Sequence, residues 1–284
     1  RSPVPNDRCP MTGVQCPVPN DQCPMTSVQH PLMDLSDQTL LITGASRGIG
    51  RAIARTCADA GATVAVHYGR SEDAAREVAD ACGNGSAPVQ ADLADLDATD
   101  ALFGAVVDRF GTVDGLVNNA GVAVSAPFEA SSDRWAEAWT QTMTVNLRAP
   151  EILCRHAVRH FQSRTPPGGR IVNVASRAAF RGDTPEYTSY ASSKAGLVAL
   201  TKSLARAFGS DDITAFSIAP GFTRTDMAQD FIDTYGEEHA TSDLALNRLT
   251  EPEDIAPTVA FLLSGNADHA TGTTIDLNAG SYVH

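Results

Sequence analysis

The sequence has no run of basic residues, and no apolar stretch approaching the roughly 18 residues that a membrane-crossing helix needs. Acids outnumber bases 34 to 21, for a net charge of −13. Such a surface repels nucleic acid and anionic membrane, so neither is expected as a partner. The first residues lack the apolar core of a signal peptide, and an initiator Met is also lacking. The expectation is a processed, tagged or incomplete chain whose native start is Met33. There is no even cysteine framework either. Outside the first 32 residues only Cys57, Cys82 and Cys154 occur, in helical or helix-end patterns where free cysteine packs as a small hydrophobe. That points to a reducing, cytoplasmic setting.

What is present divides near Met33. Seven of the 16 prolines lie in the first 31 residues. There a unit is written twice, "VPNDRCPMTGVQCP" then "VPNDQCPMTSVQHP". Proline at this density forbids a regular helix. Cys9, Cys16, Cys23 and His30 recur every seventh residue, each before a proline. Structural zinc ligands come in knuckles two to four residues apart. The even spacing is what tandem copying produces, so no metal site is expected. Residues 1–32 are read as an irregular tail, native or added, and 33–284 as one domain.

In that domain apolar runs alternate with helical patterns. "TLLIT", "TVAV" (63–66), "APVQAD", "DGLVNNAG", "RIVNVAS", "ITAFSIAP" and "TTIDLNAG" read as seven strands. "GIGRAIARTCADAG", "SEDAAREVADAC", "RWAEAWTQTMTVNLRAPEILCRHAVRHF" (one long helix or a pair) and "YASSKAGLVALTKSLARAF" read as helices. Strands separated by helices imply βαβ crossovers: an α/β doubly wound, seven-stranded parallel sheet covered on both faces, a single-domain Rossmann fold. Such sheets bind ligands beyond the carboxyl ends of their strands.

The residues just after the strands fit that rule. "TGASRGIG" follows the first strand, with Gly44, Gly48 and Gly50 allowing a tight turn and close approach of a diphosphate to a helix N-terminus. Three glycines alone also suit a bare structural turn. After the second strand comes "HYGRS" (His67, Tyr68, Gly69, Arg70), with no acid before Glu72. An acid there would select NAD; Arg47 and Arg70 instead suit the extra phosphate of NADP. NADP is therefore the preferred cofactor, with NAD the alternative. Asp92 either reaches an adenine amine or caps a helix. Asn119 and Gly121 let backbone pass close to a ribose.

"SYASSK" places Tyr190 and Lys194 four residues apart, on one helix face. An ammonium near a phenol favours the phenolate and lowers its pKa, which general acid–base work near neutral pH requires. A surface packing pair has the same spacing. Tyr187 has Ala191, not lysine, in register. Ser176 ends the fifth strand, where its hydroxyl either holds a substrate oxygen or caps a turn. Asn146 lies in a helical pattern that disfavours asparagine.

Taken in order, "TGASRGIG", "NNAG", "VNL", Ser176, "YASSK" and "PGFTRTDM" resemble the short-chain dehydrogenase/reductase family, from about residue 35 to 284 and nearest the 3-oxoacyl-[acyl-carrier-protein] reductases. The resemblance implies hydride transfer between a nicotinamide and a carbonyl or alcohol carbon of a small molecule. Tyr190 would be the proton donor, and Lys194 would lower the phenol pKa and bond the nicotinamide ribose. Ser176 would orient the substrate oxygen, and Asn146 would hold a water leading from Lys194 to solvent. Gly44, Ser46, Arg47, Gly48, Ile49 and Gly50 would surround the phosphates. His67, Tyr68, Gly69 and Arg70 would border the adenosine end, with Asp92 and Leu93 at the adenine. Asn119, Ala120 and Gly121 would flank the ribose. Pro220, Gly221, Thr223 and Thr225 would shape the nicotinamide loop. It also implies a homotetramer. "DLNAG" departs from the family's usual paired glycines.

The stretch 226–256 lies where the family closes a variable loop over substrate. Its acids (Asp226, Asp230, Asp233, Glu237, Glu238) disfavour strongly anionic substrates, unless Arg177 and Arg181 reverse this locally. The fold also suits a non-catalytic dinucleotide sensor, and Cys-Pro pairs suit a metal- or haem-responsive tail. The complete set of Asn146, Ser176, Tyr190 and Lys194 argues for an enzyme.

Overall fold

The structure is a computed structural model that describes residues 33–225, 241, 243–246 and 248–284. The repeated tail and the acids at 226, 230, 233, 237 and 238 lie outside the described residues.

Seven strands form one parallel sheet: β1 (Thr39–Ile42), β2 (Thr63–Tyr68), β3 (Ala87–Gln90), β4 (Gly115–Asn118), β5 (Gly169–Val174), β6 (Ile213–Pro220) and β7 (Thr274–Leu277). Their order is β3-β2-β1-β4-β5-β6-β7. The chain winds outward from β1 to β3 and then returns past β1 to β4. The strand order therefore reverses between β1 and β4, and a crevice opens there above the carboxyl ends.

The long helices are α1 (Gly48–Asp59), α2 (Glu72–Cys82), α3 (Leu96–Phe110), α4 (Ser132–Met143), α5 (Ala149–Ser163), α7 (Thr188–Phe208) and α8 (Pro252–Leu263), with the single turn α6 at Ala178–Arg181. Strand alternation sorts the apolar side chains onto two faces. Leu40, Ile42, Val172, Val174, Phe216 and Ile218 pack with Ile53, Val78, Val259 and Leu263 of α1, α2 and α8. Leu41, Ile171, Ile213 and Ala215 pack with Leu102, Phe103, Leu153 and Leu204 of α3, α5 and α7. Strands β1, β4 and β6 are buried throughout, which is why they read as unbroken apolar runs.

One boundary differs from that which the sequence suggests, and one alternative is decided. Strand β2 runs on through His67 and Tyr68, because these pair in parallel register with Val89 and Gln90 of β3. The long helix pattern after residue 134 splits into α4 and α5, joined by a π-helical turn at Thr144–Arg148. Pro150 has no N–H to give to the carbonyl four residues back, that of Asn146. The ladder widens accordingly, and the Ala149 N–H reaches the Thr144 carbonyl.

The helix starts also differ among themselves. Asp95 caps α3 by accepting from the Asp97 and Ala98 N–H groups at 2.9 and 3.2 Å. Ser131 caps α4, and α8 opens with a capping box between Glu251 and Asp254. Helix α1 has neither a side-chain cap nor an acid in its first turn. No capping side chain therefore takes its first N–H groups, as an anion site requires.

Candidate active site

The glycine turn is built on a close approach between β1 and β4. Gly44 and Gly48 take positive φ, +62° and +53°. A side chain at Gly44 would put its Cβ 2.9 Å from Ala120 Cα, and one at Gly50 would collide with the Gly44 carbonyl and the Asn119 amide. Thr43, which the motif contains but sequence reasoning passes over, ties the parts together. Its hydroxyl accepts from the N–H groups of Asn119 and Ala120 at 2.9 and 3.0 Å. The Asn119 amide in turn donates to the carbonyls of Thr43 and Gly44 at 2.9 and 3.1 Å. The side chain of Asn119 thus shapes the turn.

The other candidates for a dinucleotide ring this turn. Ser46, Ile49 and Gly121 are half-buried, and Arg47, Gly69 and Arg70 are exposed. Asp92 is exposed, and its carboxylate accepts from the Ala94 N–H at 3.0 Å. It therefore closes a turn one step before the true cap of α3, Asp95. Leu93 beside it is buried. His67 is buried as well, with both ring nitrogens engaged by protein. After β6, Pro220 and Thr223 are buried, and a Cβ at Gly221 would lie 2.7 Å from Asn278 Cβ. The Thr223 hydroxyl donates to the Gly221 carbonyl, and Thr225 Oγ1 donates to the Thr223 carbonyl. Thr225 brings this loop to the glycine turn: its Cγ2 would stand 3.3 Å from a Cβ on Gly48.

The four acid–base candidates converge at the same edge. Ser176 lies two residues beyond β5, with its oxygen accepting from the Ala178 N–H at 3.1 Å. Its hydroxyl stands close enough to the Tyr190 phenol to lower that group's pKa. Lys194, one turn along α7 from Tyr190, is buried. Its Nζ donates to the Val174 carbonyl at 2.8 Å. A Cβ at Gly121 would sit 3.4 Å from both Lys194 Nζ and Asn146 Oδ1, so these two polar atoms flank one small space.

Asn146 is wholly buried in the π-helical turn. Its Oδ1 accepts from the Val122 N–H and its Nδ2 donates to the Val122 carbonyl, both at 2.8 Å. Nδ2 also reaches Ser193 Oγ at 3.1 Å, and Ser193 donates to the Tyr190 carbonyl at 2.7 Å. Ser193 is a second residue that the motif holds but spacing arguments do not single out. Through it, the kink between α4 and α5 is fastened to the start of α7.

The electrostatics depart from the expectation for the phenol. Burial raises the Tyr190 pKa above its usual value; the Ser176 hydrogen bond opposes this, and the charge of Asp183 adds to it. The ammonium of Lys194 is directed to Val174 rather than to the phenol oxygen, so in the protein alone it does not reverse the sign. Burial also lowers Lys194, to about 8. The phenol is therefore held as an acid, and the amine, still mostly charged at neutral pH, titrates well below its ordinary range.

At the rim, Arg177 and Arg181 share one oxygen of Asp243, at 3.1 and 3.3 Å. Their charge is thus partly offset by protein. Among the described residues no group of three or more His, Cys, Asp or Glu side chains is placed to hold a metal ion. Cys57, Cys82 and Cys154 are free and buried. No helix among the described residues is long and apolar enough to cross a membrane.

Known proteins resemble the chain over most of its length. A family model described as enoyl-(acyl carrier protein) reductase matches residues 44–281. The chain is 38% identical over 260 residues to an L-rhamnose 1-dehydrogenase (NAD(P)(+)) of Azotobacter vinelandii, covering 89% of this chain and 99% of that protein. It is 36% identical to a 3-oxoacyl-[acyl-carrier-protein] reductase of Vibrio cholerae, covering 88% of this chain and all (100%) of that one. A short chain dehydrogenase from Burkholderia cenocepacia, solved in complex with NADP, superposes with a TM-score of 0.79 at 33% identity, over 87% of this chain and 99% of that one.

Proposed function

The chain belongs to the short-chain dehydrogenase/reductase family and is an NAD(P)-dependent oxidoreductase; from that premise we propose that it reduces the carbonyl of a small molecule to an alcohol, or runs the reverse, with NADP preferred and Asn146, Ser176, Tyr190 and Lys194 as its acid–base group. The observation that carries the reading is the convergence of Lys194 Nζ and Asn146 Oδ1 on the space beside Gly121, at the sheet edge where α1 opens without a side-chain cap.

The turn fits a dinucleotide. Gly44 and Gly50 leave no room for side chains of their own, Gly48 sits at a φ of +53°, and α1, with no side-chain cap, turns its N-terminus to a diphosphate. Arg47 and Arg70 are exposed beside it, and no acid intervenes before Glu72, which supports NADP over NAD. When bound, the reduced nicotinamide supplies the hydride.

The chain's own part is positioning and proton transfer. Tyr190, kept protonated by burial, gives its proton to the carbonyl oxygen. Ser176, beside that phenol, orients the same oxygen. Lys194 keeps positive charge beside the phenol as the proton leaves, and so stabilises the phenolate. Asn146 fixes the wall behind them through Val122 and Ser193. NADPH oxidation by purified protein, followed against a 3-oxoacyl thioester, a sugar carbonyl and a steroid ketone, tests the reading. No turnover with any carbonyl or the corresponding alcohol, with either coenzyme, would refute it.

A further inference from the structure

We propose that His67 is a positioning residue for the nucleotide half of the cofactor site, propping Gly44 of the glycine turn against Ala91 at the end of β3 and so setting the gap in which the adenosine end lies. This rests on the reading that the crevice takes a dinucleotide.

The argument starts from where β2 ends. His67 still pairs with Val89 in the sheet, so its ring is inside the fold and not on the loop. Its Nδ1 accepts from the Gly44 N–H at 3.0 Å, and its Nε2 meets the Ala91 carbonyl at 3.1 Å. A carbonyl only accepts, so the hydrogen is on Nε2 and Nδ1 keeps its lone pair for Gly44. The backbone repeats the brace. The His67 carbonyl takes the Ala45 N–H at 2.9 Å, and Ala91 N–H goes to the Tyr68 carbonyl at 3.1 Å. One rigid ring thus spans from the first residue of the glycine turn to the residue before Asp92.

The ring adds to what holds Gly44 in place. Its φ of +62° and its contact with Ala120 fix the peptide, and the His67 ring receives its N–H. Burial pushes the imidazole down to about 4, so the ring remains neutral and in this tautomer near neutral pH. Removing it would leave the Gly44 N–H and the Ala91 carbonyl without these partners and free the two loops to shift independently.

The test compares His67→Ala, His67→Asn and His67→Gln by calorimetric titration with NADPH, with ADP as the adenosine-side fragment and with reduced nicotinamide mononucleotide as the other half. Asparagine places an oxygen at the position of Nδ1 and keeps the Gly44 bond; glutamine places its amide nitrogen near Nε2 and keeps only the Ala91 bond. The expected result for His67→Ala is about tenfold weaker binding of NADPH and ADP, with the mononucleotide within about twofold. His67→Asn recovers most of the loss, and His67→Gln less. Should His67→Ala not fold, the Asn and Gln variants carry the comparison, and equal ADP binding by the two contradicts the proposal. Unchanged ADP affinity in a folded His67→Ala, or equal weakening of both fragments, overturns the proposal while leaving the enzyme reading intact. Failure of the wild-type protein to bind NADPH or NADH overturns both.

Discussion

The Lys194 ammonium lies 5.7 Å from the centre of the Tyr190 ring, yet it gives its hydrogen bond to the Val174 carbonyl at 2.8 Å. The pair shares a helix face and a positive field without a direct bond to the phenol oxygen. Each group is therefore governed first by burial, which raises the phenol and lowers the amine.

The amine makes a measurable prediction. Its folded pKa is about 8 against an ordinary 10.5, so between these values the unfolded chain holds a proton that the native one has released. Stability should rise with pH in that window. Relative to Lys194→Met, wild type should gain about 2 kcal/mol between pH 8 and 9.5 in urea unfolding. The chain has only two lysines, Lys194 and Lys202, so NMR of the methylated amines can assign the titration directly. A flat stability difference would contradict the burial account.

Ser176→Ala removes the one group that lowers the Tyr190 pKa, along with the acceptor for the Ala178 N–H. Turnover should fall about a hundredfold. In the alcohol-oxidising direction, where phenolate is needed, the acid limb of the rate profile should move to higher pH. Melting should register a loss of about 1 kcal/mol.

His67 predicts an acid sensitivity of opposite origin to that of paired carboxylates. Burial is the main cause of its low pKa, opposed by the Ala91 carbonyl and the Asp92 charge. The unfolded chain takes up a proton near pH 6.5, and the folded one withholds it until about 4. Stability is therefore lost as pH falls through that window. Wild type should lose about 2 kcal/mol more than His67→Asn between pH 7 and 5, read from urea midpoints at each pH.

The sequence makes legible what local rules govern. Alternating runs give the sheet, buried strands read as apolar, and the spacing of four in "YASSK" puts Tyr190 and Lys194 together. What long-range packing decides is not legible. The π-helical turn around Asn146 depends on Pro150 and on Val122 and Ser193 arriving from elsewhere in the chain. The inward turn of His67 depends on β3 extending β2 by two residues. That the Asn119 side chain clamps Thr43 and Gly44 is equally invisible in its spacing. The raised phenol follows from how deeply α7 is packed, which a spacing of four does not encode. Helix α3 is muted in sequence by Gly104 and by acids on its outer face, although Thr99, Leu102, Phe103 and Val106 mark its inner one.

The most direct measurement is NADPH-dependent carbonyl reduction by wild type and Tyr190→Phe, alongside cofactor binding by both. The account predicts turnover in wild type with at least one carbonyl, a loss of several orders of magnitude in Tyr190→Phe, and NADPH affinity retained. Near-wild-type turnover in the phenylalanine variant would contradict it.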